Sequence, residues 1–329
     1  LEHSNRLLQF LGIPFTALQS IILGLLLVSF PMGIYIVFES DIGDDINFEY
    51  PITHLSIFDG TDFYQSPLDV TIGDAFVVLW IFYAALFTIA ILGPKHGFLK
   101  SISSIISFGK FNTSTNYMIG ITKWFSILIL VSVVINFVQE AFGIVTVPPL
   151  DDNNLIQFFY VSLAPLIEEF GFRLILIGIP LFALYSHKSS PKYFIKCLWA
   201  PSSLKIYDYK KAFLLIAFVG IFFGFAHIAF AESWTEGKFA QATASGIVLG
   251  WVYLRYGFVA SLLIHWAMNY FVFSYANFIS QLNSISIDEA FSYPLMSSLE
   301  ILLLISGVVS VSILFVNRFY SKKEPSLEI

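Results

Sequence analysis

The chain has 329 residues, of which 57% are apolar and only 12% charged, about half the charged fraction of a soluble globular domain. A water-covered surface cannot be built from this composition, and with 36 Phe the disordered, collagen-like, coiled-coil and nucleic-acid-binding classes lose their basis. The net charge of −6 gains meaning only from its distribution, and the single cysteine, Cys197, excludes an internal disulfide and a Cys-x-x-Cys site.

Apolar runs long enough to cross a bilayer lie near residues 14–38, 70–93, 119–145, 155–185, 212–231, 239–256, 258–280 and 295–319. The predicted fold is all-α, a polytopic transmembrane helical bundle of about eight spans. Lipid-exposed irregular backbone does not survive in hydrocarbon, and the runs lack the alternation of barrel strands. The first run, with Pro31 inside it and no small-residue cleavage pattern behind it, reads as a retained helix rather than a signal peptide. Residues 39–69 are acidic and lack Lys and Arg; they read as a solvated loop, with a cap over the outer face as the alternative. Residues 186–211 are basic and hold Pro191 and Pro201, which fits a cytoplasmic loop against anionic headgroups. In the sixth run, Gly246-x-x-x-Gly250 reads as a close helix contact.

Lys and Arg of short loops mark the cytoplasmic side of a membrane protein. Arg6, then Lys95, Lys100, Lys110 and Lys123, then the run from Lys188 to Lys211, then Arg255, then Arg318, Lys322 and Lys323 all fall on one side. Only Lys238 and the intramembrane Arg173 depart from this pattern. The opposite loops are acidic, with Glu39 to Asp69, Glu140 to Asp152, Glu232 with Glu236, and Asp288 with Glu289. The expectation is an integral protein of the cell membrane with both termini cytoplasmic.

An ionisable side chain in hydrocarbon costs at least ~2.5 kcal/mol, so each must be held for a reason. The fourth run carries Glu168, Glu169 and Arg173, the fifth Phe223 and His227, the seventh His265 and Asn269. Residues four apart on a helix share a face, so Glu169 faces Arg173, while Glu168 diverges by about 100° and is free to meet another helix. His265 and Asn269 point the same way and can both donate to one oxygen. Phe223, four residues before His227, walls the same cavity. A carboxylate, a His from a second helix and a His with an Asn are the parts of a hydrolytic site. The His-Glu-x-x-His motif is absent, yet Glu168, His227 and His265 are candidate ligands for zinc, so the cofactor stays open between none and zinc. The same buried groups suit a proton-coupled transporter, although no internal repeat is visible. Counted from the basic helix ends at ~1.5 Å per residue, Glu168 and His227 lie roughly 24 Å deep and His265 about 12 Å. They meet only if the boundaries shift, with the fourth helix ending near Pro180 and the fifth entering the bilayer after Lys211.

Glu-Glu-x-x-x-Arg at 168–173, Phe-x-x-x-His at 223–227 and His-x-x-x-Asn at 265–269, in this order on successive apolar helices, resemble the CPBP intramembrane proteases, also called the Abi or type II CAAX prenyl endopeptidase family. The resemblance covers about residues 119–280 and implies an eight-helix fold with a conical cavity. It implies that Glu168 activates water, His227 partners it, His265 and Asn269 stabilise the oxyanion, and Glu169 and Arg173 support the site. That family has been described both as metal-dependent and as a metal-independent glutamate protease. The implied organisation is two spans with an acidic extracytoplasmic loop over 1–118, a catalytic core over 119–280, and a last span with a cytoplasmic tail over 281–329. The implied function is intramembrane hydrolysis of a peptide bond in a membrane-associated peptide or lipidated protein, with the bilayer and no nucleic acid as the other partner. A proton-coupled transporter and a non-proteolytic scaffold are the alternatives.

Overall fold

The computed structural model describes residues 6–55, 70–111, 116–146, 153–188, 190–229 and 235–321. Asp59, Asp62, Asp69, Asp151, Asp152, Glu232, Lys322 and Lys323, which enter the charge pattern above, lie outside the described residues. Within them the regular structure is helical, and extended pairing is confined to isolated bridges at Pro51–Thr71 and Pro94–Asn116. The helices are α1 (Arg6–Phe38), α2 (Ile72–Leu92), α3 (Phe98–Phe108), α4 (Tyr117–Ala141), α5 (Asn154–Glu169), α6 (Ile179–Tyr185), α7 (Pro191–Trp199), α8 (Tyr209–Ala229), α9 (Lys238–Tyr256), α10 (Phe258–Trp266), α11 (Val272–Asn283), α12 (Ile287–Phe291) and α13 (Pro294–Ser321). A π-helical segment, Phe170–Gly178, joins α5 to α6, and a second, Ala267–Phe271, joins α10 to α11.

Each of the eight expected runs is helical over most of its described residues, and the chain is a polytopic helical membrane protein. Six stretches among the described residues are long and apolar enough to cross a membrane: α1, α2, α4, α8, Phe258–Asn283 and Pro294–Phe319. The fourth and sixth runs fall short because polar groups displace apolar ones. The fourth carries Glu168, Glu169 and Arg173 and is divided by a π segment; α9 carries Lys238, Gln241, Thr243 and Ser245. Several basic residues expected in loops are helical instead, with Lys192 and Lys196 in α7 and Lys210 and Lys211 in α8. Lys100 lies in α3, which buries Ser101 and Ile105 and exposes Leu99. Lys123 is buried inside α4, its ammonium 5.9 Å from the Trp124 ring.

Two packing devices hold the helices that bear the site. Behind α10, Trp266 and Tyr270 stack at 4.4 Å, and Trp266 meets Phe30 of α1 at 5.2 Å and Tyr83 of α2 at 5.0 Å. The Trp80 indole N–H donates to the Tyr270 hydroxyl at 2.9 Å, and that hydroxyl donates to the Ser29 carbonyl at 3.1 Å. It approaches the α1 backbone so closely that a Cβ at Gly33 would lie 2.0 Å from it. Between α8 and α9 the helices touch through glycine. A Cβ at Gly246 would lie 2.9 Å from the Gly220 Cα, and one at Gly224 would lie 2.7 Å from the Phe239 carbonyl oxygen. Gly250 lies against the Ile216 side chain of the same neighbour, so the glycine pair read from the sequence is a helix contact, with backbone meeting backbone at Gly246.

This contact is backbone against backbone and cannot yield by a side-chain rotation. Gly246→Ala is expected to lower stability by about 1–3 kcal/mol. Gly24→Ala, where nothing lies within 4 Å of the added carbon, should be neutral or stabilising by about 0.5–1 kcal/mol through helix propensity. Thermal unfolding of both variants in detergent checks this; equal melting temperatures would contradict the close approach.

Candidate active site

Glu168 and Glu169 are the last two residues of α5, and their side chains leave the helix in different directions. Glu169 is fully buried. Its Oε1 lies 3.1 Å from Arg173 Nη2, as the four-residue spacing predicts, and 2.9 Å from His265 Nδ1 on α10. The Arg173 contact is ionic rather than an aligned hydrogen bond, and the guanidinium also sits over the Phe223 ring of α8 at 4.9 Å. Glu168 turns away toward α8 and α10. Its side chain is 27% exposed, and its Oε2 stands 3.7 Å from His265 Nε2 and 4.0 Å from His227 Nε2.

The bonds at the far side of each imidazole fix its tautomer. His227 Nδ1 is 2.8 Å from the Phe223 carbonyl oxygen, and His265 Nδ1 faces the Glu169 carboxylate. Both partners only accept, so in each ring Nδ1 carries the proton. In the neutral imidazoles, both Nε2 atoms therefore turn a lone pair toward Glu168 Oε2. Phe223 spaces the two rings, lying 4.5 Å from His227 and 5.9 Å from His265, edge to face in both cases.

His227, His265, Asn269 and Phe223 line one cavity of about 130 Å³. Four expected site residues from α8 and the α10–α11 helix thus share a wall; Glu168 is not itself a lining residue and stands behind it, 3.7 and 4.0 Å from the two imidazoles. Asn269 lies in the second π segment, and among the described residues no hydrogen bond holds its carboxamide. Lys238, Gln241 and Ser245 of α9 and Ser132 of α4 line the same cavity and were not identified from the sequence. Two signals were present. Lys238 is the loop cation that breaks the charge pattern, and it shares one helical face with Gln241 and Ser245.

The depth mismatch resolves through the turn between α9 and α10. α6 continues to Tyr185, past Pro180, and the Tyr185 hydroxyl meets the Asp208 carbonyl at 2.9 Å, where α8 is about to begin. The Tyr256–Phe258 turn sits above that level. α7 fills the space beneath it, with Trp199 on Phe258 at 5.6 Å and the Tyr253 hydroxyl donating to the Leu198 carbonyl at 2.7 Å. α10 starts deeper than α6 ends, and so His265 reaches Glu168. Among the described residues no group of three or more His, Cys, Asp and Glu side chains is arranged to hold a metal ion. The zinc candidates Glu168, His227 and His265 do converge, at the wider spacing given above.

Residues 152–271 match the family model described as Type II CAAX prenyl endopeptidase Rce1-like. The matched stretch holds every residue of the three motifs and falls inside the 119–280 read from them. Comparison with curated proteins and with solved structures gives no match. The similarity of residues 152–271 to the type II CAAX prenyl endopeptidase Rce1-like proteins supports the CPBP family.

Proposed function

We propose that the chain is an intramembrane endopeptidase that hydrolyses a peptide bond of a membrane-associated peptide or lipidated protein with water activated by Glu168. One observation carries the reading. Glu168 Oε2 and the two Nε2 atoms converge at 3.7 and 4.0 Å, and with both imidazoles neutral and protonated at Nδ1 all three are acceptors. A water molecule bound between acceptors at this separation shares its two protons with them. Glu168 takes one proton as the water oxygen attacks the carbonyl carbon, and the Asn269 carboxamide N–H lies on the same cavity wall to meet the developing oxyanion. The proton held by Glu168 then passes to the leaving amine as the C–N bond breaks. His227 and His265 orient the water; His265, expected beside Asn269 as an oxyanion donor, has its proton on Nδ1 toward Glu169 when neutral and so leaves that donation to Asn269. A cavity floored by buried Leu128 and Leu249 favours hydrolysis over proton-coupled transport, which needs a polar path to both faces.

The two glutamates separate in experiment. Glu168→Gln keeps the shape and removes the base, so single-turnover cleavage of quenched peptides in detergent should fall by about two to four decades at unchanged thermal stability. Normal cleavage by this variant would sink the reading. A chelator arm in the same assay decides whether the trio works with a metal: loss of cleavage that added zinc restores would assign Glu168, His227 and His265 to it.

Glu169→Gln leaves a fully buried Arg173 beside a neutral partner, and breaking such a pair costs about 3–5 kcal/mol. The expected phenotype is a lowered melting temperature. A variant as stable as the parent yet wholly inactive would reverse the roles of the two carboxylates.

A further inference from the structure

Every helix that lines the cavity grades the same way along its axis. On α4 the lining residue nearer the Lys-rich end is Leu128, fully buried, and one turn further lies Ser132, partly exposed. α8 passes from buried Phe223 to His227, and α10 from buried His265 to Asn269. α9 runs in the opposite direction and passes from its N-terminal polar residues Lys238, Gln241 and Ser245, partly exposed with the small Ala242 buried among them, to buried Leu249. Four helices thus agree: the cavity has an apolar floor toward one end of the bundle and a polar mouth toward the other.

Distances along the helices agree as well. At ~1.5 Å per residue, His227 lies about 3 Å from the Ala229 end of α8 and about 27 Å from its Tyr209 end. Ser132 lies about 14 Å from the Ala141 end of α4. The one short way from the other end, along α10, is covered by α7, where Trp199 packs on Phe258.

The two ends differ in charge. The mouth end carries Glu39, Asp41, Asp44, Asp45, Glu49, Glu140, Glu236, Asp288 and Glu289, and Lys238 is its one basic residue among the described residues. The floor end carries Lys95, Lys100, Lys110, the Lys188–Lys211 group, Arg255 and Arg318. Lys and Arg concentrate on the cytoplasmic side, so the floor faces the cytoplasm.

We infer that the cavity takes its substrate from the extracytoplasmic side: the bond it cuts belongs to a peptide segment presented at the outer surface of the membrane, not to a lipidated tail on the cytoplasmic leaflet. The inference rests on the hydrolytic reading above for what happens in the cavity, but its direction of entry stands on burial and charge alone.

Two measurements test it. On a Cys197→Ser background, Gln241→Cys at the mouth and Lys188→Cys at the Lys-rich end are exposed in intact cells to a membrane-impermeant maleimide. Gln241→Cys should react from outside and Lys188→Cys only after permeabilisation. Reaction of Lys188→Cys from outside, or failure of Gln241→Cys to react there, overturns the inference. The parent protein is also given impermeant quenched peptides in right-side-out and inverted membrane vesicles. Hydrolysis is expected with the right-side-out vesicles, and with inverted ones only once detergent opens them. Hydrolysis by sealed inverted vesicles alone overturns the direction of entry. No hydrolysis even in detergent, with the labelling as expected, counts against the protease reading and leaves the side of entry decided by the maleimide.

Discussion

A single buried carboxylate ties the site together. Glu169, without solvent contact, holds Arg173 at 3.1 Å and His265 at 2.9 Å, and Arg173 in turn covers the Phe223 ring at 4.9 Å. Through these contacts α5, α8 and α10 are fastened at one level of the bundle. A charge sealed away from water is tolerated only when opposite charge and donors surround it. The arrangement that satisfies Glu169 therefore also dictates where His265 points, which of its nitrogens carries the proton, and how far Phe223 stands from both imidazoles. The position of Glu168 depends on all of this, since it is reached from the same turn of α5.

Two of the three helices that carry the motifs depart from α geometry at the motif. α5 gives way to a π segment immediately after Glu169, and α10 does so two residues after His265. A π turn widens the helix and is frequent at functional sites. In the first segment it places Arg173 and Phe172 around Phe223, with Phe172 meeting that ring at 4.8 Å. In the second it carries Asn269 on the cavity wall while Trp266 and Tyr270 stay stacked against α1 and α2. The stack and the glycine contact between α8 and α9 keep the surroundings rigid, so the irregular turns are confined to the residues that need them.

Much of this was legible in the chain, for reasons that can be named. The apolar runs give the helices, and burying a charge without a partner is so costly that Glu169 could be paired with Arg173 from spacing alone. The glycines of α9 announced a close helix approach. The π segments left no trace, because no residue type marks them and an i,i+4 pattern survives their first turn. The level of the α9–α10 turn was hidden as well. It depends on α7 filling the space below Gly257, a contact between segments far apart in the chain, and hydropathy counts cannot register it. Lys238 was visible as an exception to the charge pattern, but its place in the cavity follows from the short α8–α9 connection and not from its charge.

Two adjacent residues of one type take opposite parts here, and the helix geometry is enough to separate them. A rotation of about 100° carries Glu169 into a dry junction where its Oε1 meets both Arg173 and His265, and leaves Glu168 at 27% exposure beside two imidazoles. The carboxylate in the first setting is held by Arg173 and His265 where three helices meet. The one in the second setting keeps a partly exposed side chain, and its Oε2 faces two imidazoles whose Nδ1 atoms are already engaged elsewhere. Environment, and not residue type, sets the two members of this pair apart, as it does wherever two carboxylates share a site.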